Sequence, residues 1–126
     1  HDPSSNVQTL RDNFINALHA VIPDAYVNGE ASQRLPGIVN VTFPGTQSDT
    51  LLLLLDNAHV SASTGSACSA GVHEASHVLL AMGHTEETAQ SSLRFSFGAA
   101  STQADVDYVM SVLPGVIATG RAAHTV

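Results

Sequence analysis

Apolar positions along this chain fall into two rhythms, and the rhythms predict its elements. Val7, Leu10, Phe14, Leu18 and Val21 recur every three or four residues behind Ser4, Ser5 and Asn6, all good capping types, which predicts an amphipathic helix ending before Pro23. Residues 25–28 have the composition of a short strand closed by Gly29. Residues 38–43 form a firmer strand bounded by Pro36-Gly37 and Pro44-Gly45. Ser48 or Asp49 can cap a second helix through the leucines 51–55 to about Ala58, apolar on nearly all sides and so expected to be buried. Residues 59–62 read as a strand feeding a run of small residues, SASTGSACSAG (61–71), where no helix or strand pattern survives. Residues 74–82 are predicted helical and stopped by Gly83, and residues 86–91 form a short helix. Residues 93–97 alternate cleanly, with Leu93, Phe95 and Phe97 on one face and Arg94 and Ser96 on the other. Ser101 or Thr102, with Asp105 in the first turn, starts a last helix carrying Val106, Val109, Leu113 and Ile117, which Pro114 should kink or break.

Helices mixed with short strands, without strict βαβ alternation, give an α+β fold in which one small sheet is covered by helices. The 126 residues are 44% hydrophobic, which fits one compact domain with a core, and no linker or internal repeat divides them. The formal charge of −7, with Arg11, Arg34, Arg94 and Arg121 as the fixed cations, argues against a surface that tracks nucleic-acid phosphates. The longest apolar run is too short to cross a bilayer, and no basic-then-apolar signal segment opens the chain, so no membrane partner is expected. The chain opens on His1 rather than methionine, which reads as a processed chain or a fragment. A single cysteine forms no internal disulfide, and the cytoplasm is the expected location. There is no lysine, which excludes an internally supplied Schiff base and a P-loop lysine.

Cys68 is the candidate nucleophile. Its flanks, Gly65, Ser66, Ala67, Ser69 and Gly71, give little apolar cover and no local cation, so any activation of the thiol must come from elsewhere. The residues alone leave a functional thiol and a linker that happens to contain cysteine as open alternatives. His73 and His77 stand four apart on a predicted helix, with His84 shortly after, but no HExxH is present and surface histidines are the simpler reading, so no metal site is expected. Asn40-Val41-Thr42 matches a glycosylation acceptor but lies inside a strand. Asp56, Glu86 and Glu87 read as solvated or helix-end charges. Arg94 differs, because a guanidinium amid apolar strand residues needs an anion. That anion is either a ligand carboxylate, which suits its planar fork, or an internal partner such as Asp105 or Asp107.

Three segments resemble one family. RLPGIVNVTFPG (34–45), STGSACSAG (63–71) and SSLRFSFG (91–98) are similar, in that order and spacing, to the opening strand, the SSGSACTS cysteine motif and the SS-[IL]-R-x-S-[LF]-G arginine motif of the C-terminal small domain of cysteine desulfurases of the NifS/IscS kind. These are pyridoxal-phosphate (PLP) enzymes of the class-V aminotransferase superfamily. The similarity extends to Tyr26-Val27-Asn28-Gly29 and to ADVDYVMSVLP (104–114). Thr64, Ser69 and the tetrapeptide HEAS (73–76) depart from the family's usual residues, and the motif is that of the long-loop group rather than the RxGHHCA group.

The resemblance implies the small-domain fold of fold-type I PLP enzymes and one domain over residues 1–126, belonging to a larger enzyme whose PLP-binding domain is elsewhere. It makes Cys68 the nucleophile that attacks the sulfur of PLP-bound L-cysteine, leaving alanine and a Cys68 persulfide, and it makes Arg94 the holder of the substrate carboxylate. The small-residue loop would then carry the persulfide to an acceptor such as an iron–sulfur scaffold protein, with Cys68 as a shared cluster ligand. The Schiff-base lysine and phosphate ligands of the family belong to the large domain, so no cofactor-binding residue is assigned here and this chain alone should neither bind PLP nor desulfurate cysteine. Homodimerisation is implied by the same analogy. An alternative of a different class is a free-standing thiol or persulfide carrier, or an interaction domain, that works without PLP.

Overall fold

The computed structural model describes residues 3–29, 37–64, 67–69, 72–74 and 90–124. The first helical rhythm becomes α1 (Pro3–Val21), which begins on proline, a residue suited to a first helical turn, so Ser4 to Asn6 lie inside the helix rather than capping it. Val7, Leu10, Phe14 and Leu18 are buried as expected. The final position differs: Val21 is exposed, and Ile22 is buried in its place, its N–H bonded to the Leu18 carbonyl at 2.8 Å. A core contact is thus gained one residue beyond the helix, where the chain turns at Pro23.

The predicted strands 25–28 and 38–43 are β1 (Tyr26–Val27) and β2 (Ile38–Thr42). Gly29 follows β1 with φ of 88°, a conformation glycine adopts without steric cost. Next is α2 (Ser48–Asn57), with Gln47 rather than Ser48 in the capping position. Its leucines do not bury all round: Leu51 and Leu55 are buried, whereas Leu53 is 64% exposed. One helix face meets the core, and a run of five leucines is wider than that face.

The predicted strand 59–62 is not found. After α2 the His59 N–H bonds the Asp56 carbonyl at 3.0 Å, the Val60 N–H bonds the Leu55 carbonyl at 2.8 Å, and His59 takes φ of 64°. This is the Schellman stop, with histidine where glycine is usual, and Val60 joins Leu55 in the core to close it. The strand comes slightly later, as β3 (Ser63–Thr64).

Two further strands follow, β4 (Ala67–Ser69) and β5 (Val72–Glu74), paired as Ala67 with Glu74, Cys68 with His73 and Ser69 with Val72. The run 61–71 was expected to lack regular structure; instead it supplies β3 and β4. The predicted helix 74–82 loses its first residue to β5, and its remainder, like residues 86–89 of the short helix, lies outside the described residues. Gln90 is helical and Ser91 turns into β6 (Ser92–Ser96).

The last element is α3 (Gln103–His124), started by a reciprocal cap: Thr102 N–H donates to Asp105 Oδ2 at 2.9 Å and Asp105 N–H to Thr102 Oγ1 at 3.2 Å. Pro114 does not break it. The proline is exposed and no side chain crowds Gly115 beside it, so the helix runs on through both. At the far end Arg121 donates to the Pro44 carbonyl at 2.9 Å and to Asp24 at 2.8 Å, fastening α3 to the loops beside β1 and β2.

The main sheet has the antiparallel order β1-β2-β6-β3, and its central register sets Val39 against Phe95, Asn40 against Arg94 and Val41 against Leu93. Val39, Val41, Leu93 and Phe95 form one face, and onto it pack Leu10, Phe14 and Leu18 of α1, Leu51 and Leu55 of α2, and Val106, Leu113 and Ile117 of α3. Phe14 sits at the centre, its ring 5.0 Å from that of Phe95 and 5.3 Å from that of Phe97. The result is the expected α+β arrangement of one sheet covered by helices.

Candidate functional site

Since strand residues alternate faces, the register that buries Val39, Val41, Leu93 and Phe95 sends their neighbours to the opposite face. That second face carries Tyr26, Asn28, Asn40, Thr42, Ser63, Ser92, Arg94 and Ser96, with Ile38 beside Ser96, and is mostly polar where the first is apolar. At its β1 edge the polar groups are buried and joined. Asn28 Nδ2 donates to Asn40 Oδ1 at 2.9 Å and to Thr42 Oγ1 at 2.7 Å, and the Thr42 and Ser92 hydroxyls lie 2.6 Å apart. Asn40, the glycosylation candidate, is therefore engaged within the sheet.

One member of this network is incompletely satisfied. Asn28 is 5% exposed, yet its Oδ1 has no hydrogen-bond partner among the described residues. A buried acceptor left without any partner costs about 1–3 kcal/mol.

Arg94 stands next along this face. It is exposed, as its alternation predicted, and no hydrogen bond or ion pair engages it among the described residues. The internal partners considered for it are occupied elsewhere: Asp105 caps Thr102, and Asp107 accepts from Gln103 at 2.9 Å. The other described arginines have partners, Arg11 with Asp12 at 3.2 Å and Arg121 with Asp24 at 2.8 Å. In a chain of net charge −7, Arg94 is thus an exposed guanidinium on a central strand with no anionic partner among the described residues.

Cys68 belongs to the separate two-stranded hairpin, where its cross-strand neighbour is His73. His73 is thus on a strand and not at the start of a helix; His77 and His84 lie outside the described residues, and no cluster of metal-ligating side chains forms among those described. The chain itself ties Cys68 to Arg94. Ser63 pairs with Arg94 in the sheet, and Cys68 follows Ser63 by five residues, so the Cα atoms of Cys68 and Ser63 are no more than about 18 Å apart and those of Cys68 and Arg94 no more than about 23 Å.

A separate pocket of about 240 Å³ opens between the start of α3 and the end of β6, lined by Phe14, His59, Phe97, Asp105 and Tyr108 among others. Two of its polar groups are engaged within the fold: the Tyr108 hydroxyl donates to the Ala58 carbonyl at 2.6 Å and Asp105 caps the helix. Among the described residues no helix is long and apolar enough to cross a membrane.

For pyridoxal phosphate, the fit is decided by the amine. The chain has no lysine, so it offers no side chain to condense with the cofactor aldehyde, and the residues present do not make a complete site for that group. Sequence reasoning singled out Cys68 and Arg94 but missed Asn28, Asn40, Thr42 and Ser92. Each reads as an ordinary outward strand polar residue, and their joining depends on a pairing register between distant segments.

The family profile for class-V aminotransferases matches residues 4–109. An IscS-like cysteine desulfurase of Mycobacterium tuberculosis is 46% identical over 121 residues, covering 95% of this chain and 31% of that protein. The cysteine desulfurase IscS of Clostridium botulinum is 43% identical over 122 residues, again 95% of this chain and 31% of the relative. In structure, a NifS-like protein from Rickettsia africae superimposes with a TM-score of 0.77 at 26% identity, covering 90% of this chain and 28% of that one. The chain spans about a third of the length of the curated relatives it matches. A helix-covered antiparallel sheet carrying the arginine motif, with a profile match over most of the chain's length, places the chain in the class-V aminotransferase family.

Proposed function

We propose that this chain is the small domain of a cysteine desulfurase, in which Arg94 binds the carboxylate of L-cysteine and Cys68 takes its sulfur. The observation that carries the reading is the unpartnered guanidinium of Arg94 on the polar face of β6, paired with Ser63 of β3, the strand that precedes by a few residues the hairpin bearing Cys68. A bidentate contact fixes the orientation of the amino acid as well as its affinity, which suits a reaction in which one thiol must meet another. The Cys68 thiolate forms a sulfur–sulfur bond as the substrate carbon–sulfur bond breaks; the carbon retains the electron pair and takes up a proton to become the methyl group of alanine. Pyridoxal phosphate, held by the rest of the enzyme, supplies the electron sink for that carbon. The lysine for the cofactor must come from outside these 126 residues.

The same reading assigns an acceptor protein, such as an iron–sulfur scaffold, to receive the persulfide, a homodimer as the working assembly, and the cytoplasm as its setting, where a lone thiol stays reduced. The test uses the full-length holoenzyme. L-Cysteine should yield alanine and one added sulfur atom on Cys68 by mass spectrometry, and Cys68→Ser should remove the adduct and lower alanine formation by about 10³-fold or more. Alanine formation at an undiminished rate in Cys68→Ser would overturn the assignment.

A further inference from the structure

The register that exposes Arg94 also sets a donor on each side of it. Asn40 of β2 and Ser63 of β3 are its direct cross-strand partners, so the three side chains stand in one row across three strands on the polar face. Directly opposed residues on one face lie about 4.5–5.5 Å apart at Cβ, close enough for three such groups to reach a single carboxylate. Neither Asn40 nor Ser63 is exposed at the level of Arg94; both are half-buried, which limits their motion.

The orientation of Asn40 is set from behind. Its Oδ1 accepts the 2.9 Å bond from Asn28 Nδ2, and Asn28 is itself held by Thr42 at 2.7 Å, with Thr42 against Ser92 at 2.6 Å. With Oδ1 committed to Asn28, Asn40 keeps Nδ2 as a donor without a partner among the described residues, at the position paired with Arg94. The Ser63 hydroxyl likewise has no partner among the described residues. The buried network therefore has a directional output. It turns an amide that can present either end into one that presents N–H to an anion, and an unpartnered Asn28 Oδ1 is the cost of holding that orientation.

We propose that Asn40, Arg94 and Ser63 form one carboxylate-binding row, in which Asn40 and Ser63 are specificity-determining donors flanking the guanidinium and Asn28 is the positioning residue that fixes the Asn40 amide. This deepens the reading of Arg94 as the carboxylate holder and rests on it. A guanidinium alone binds many anions. Two neutral donors at fixed places beside it favour a planar carboxylate whose oxygens reach past the fork, and they add no positive charge that would attract phosphate-bearing competitors.

The test is steady-state kinetics of the full-length holoenzyme on L-cysteine, with cysteamine, which lacks the carboxylate, as a competitive inhibitor. Asn40→Asp keeps an oxygen for Asn28 but replaces the outward N–H with an anion. It should raise KM by about ten- to hundredfold, the range for losing a hydrogen bond to a charged group, with kcat within about threefold and the cysteamine inhibition constant unchanged. Ser63→Ala, a smaller change that should not disturb folding, should raise KM by about three- to tenfold with the same split. Asn28→Ala should raise KM in the same direction as Asn40→Asp, as expected of a residue that acts through Asn40. Arg94→Gln, assayed in parallel, separates the two claims. If Arg94→Gln raises KM while Asn40→Asp and Ser63→Ala leave it unchanged, the row is overturned and Arg94 acts alone. If Arg94→Gln also leaves KM unchanged, the carboxylate reading of Arg94 falls and the row with it.

Discussion

The two faces of the central sheet are made by the same strands and follow opposite rules. On one face Val39, Val41, Leu93 and Phe95 meet three helices, every side chain is apolar, and shape alone decides the fit. On the other face the residues one step along, Asn40, Thr42, Ser92 and Arg94, are polar; two are buried and hydrogen-bonded and Arg94 is exposed without a partner. The difference shows how one sheet separates apolar packing from a polar network. The helix-covered face holds the fold, which lets the other face keep a buried acceptor that the fold does not satisfy, Asn28 Oδ1, near an exposed guanidinium that costs it little. An orphaned buried acceptor persists in a marginally stable domain only when burial elsewhere offsets it.

The first way to break this comparison is at its apolar side. Phe14 is fully buried and its ring touches those of Phe95 and Phe97, so Phe14→Ala removes the side chain that joins α1 to the sheet. Chemical denaturation should show a loss of about 3–5 kcal/mol, a large share of the stability of any domain this size. A loss below about 1 kcal/mol would mean that the helix-covered face is not where the fold is held. A smaller effect is expected from the buried part of the polar face. Thr42→Val keeps the shape but removes the hydroxyl that accepts from Asn28 and meets Ser92, and should cost about 1–3 kcal/mol through the groups it leaves unpaired. The double variant Thr42→Val with Ser92→Ala should cost less than the two single changes added together, because each removes a partner that the other no longer misses. Strict additivity would show that the two hydroxyls are not one network.

How much of this was legible in the sequence follows from which residues signal locally. The alternation of Leu93, Arg94 and Phe95 fixed a strand and the outward aim of Arg94, because a period of two assigns a face to every residue. Thr102 and Asp105 announced the start of α3 by their spacing, and the structure shows both capping bonds. Where the sequence misled, a local rule was overruled by a wider one. Five consecutive leucines suggested burial all round, but a helix lying on the edge of a core has one covered face, and Leu53 points away from it. His59 disguised a helix stop because glycine is the usual residue in that conformation. Cys68 was read as loop because strands of three residues are too short to alternate; the small Ala70-Gly71 pair linking β4 to β5 was the available hint of a hairpin. The polar network was illegible for a different reason. Asn28 follows β1, Asn40 and Thr42 belong to β2 and Ser92 to β6, and no spacing within one segment reports a pairing between segments.

The smallest expected effect discriminates best between the two faces. Arg94→Ala removes an exposed side chain that holds nothing among the described residues, so its change in unfolding free energy should lie within about 0.5 kcal/mol of zero. Arg121→Ala is the matched control, since it removes a guanidinium that clamps the Pro44 carbonyl and Asp24 and joins α3 to the loops beside the sheet. Urea melts of the two variants side by side should rank Arg121→Ala as the more destabilising. If Arg94→Ala proves equally costly, the guanidinium has a structural partner and its exposed place on β6 no longer argues for a ligand. If it is silent, a cation stands on a central strand of an acidic domain without any return in stability, which is the outcome the proposed carboxylate-binding role of Arg94 expects.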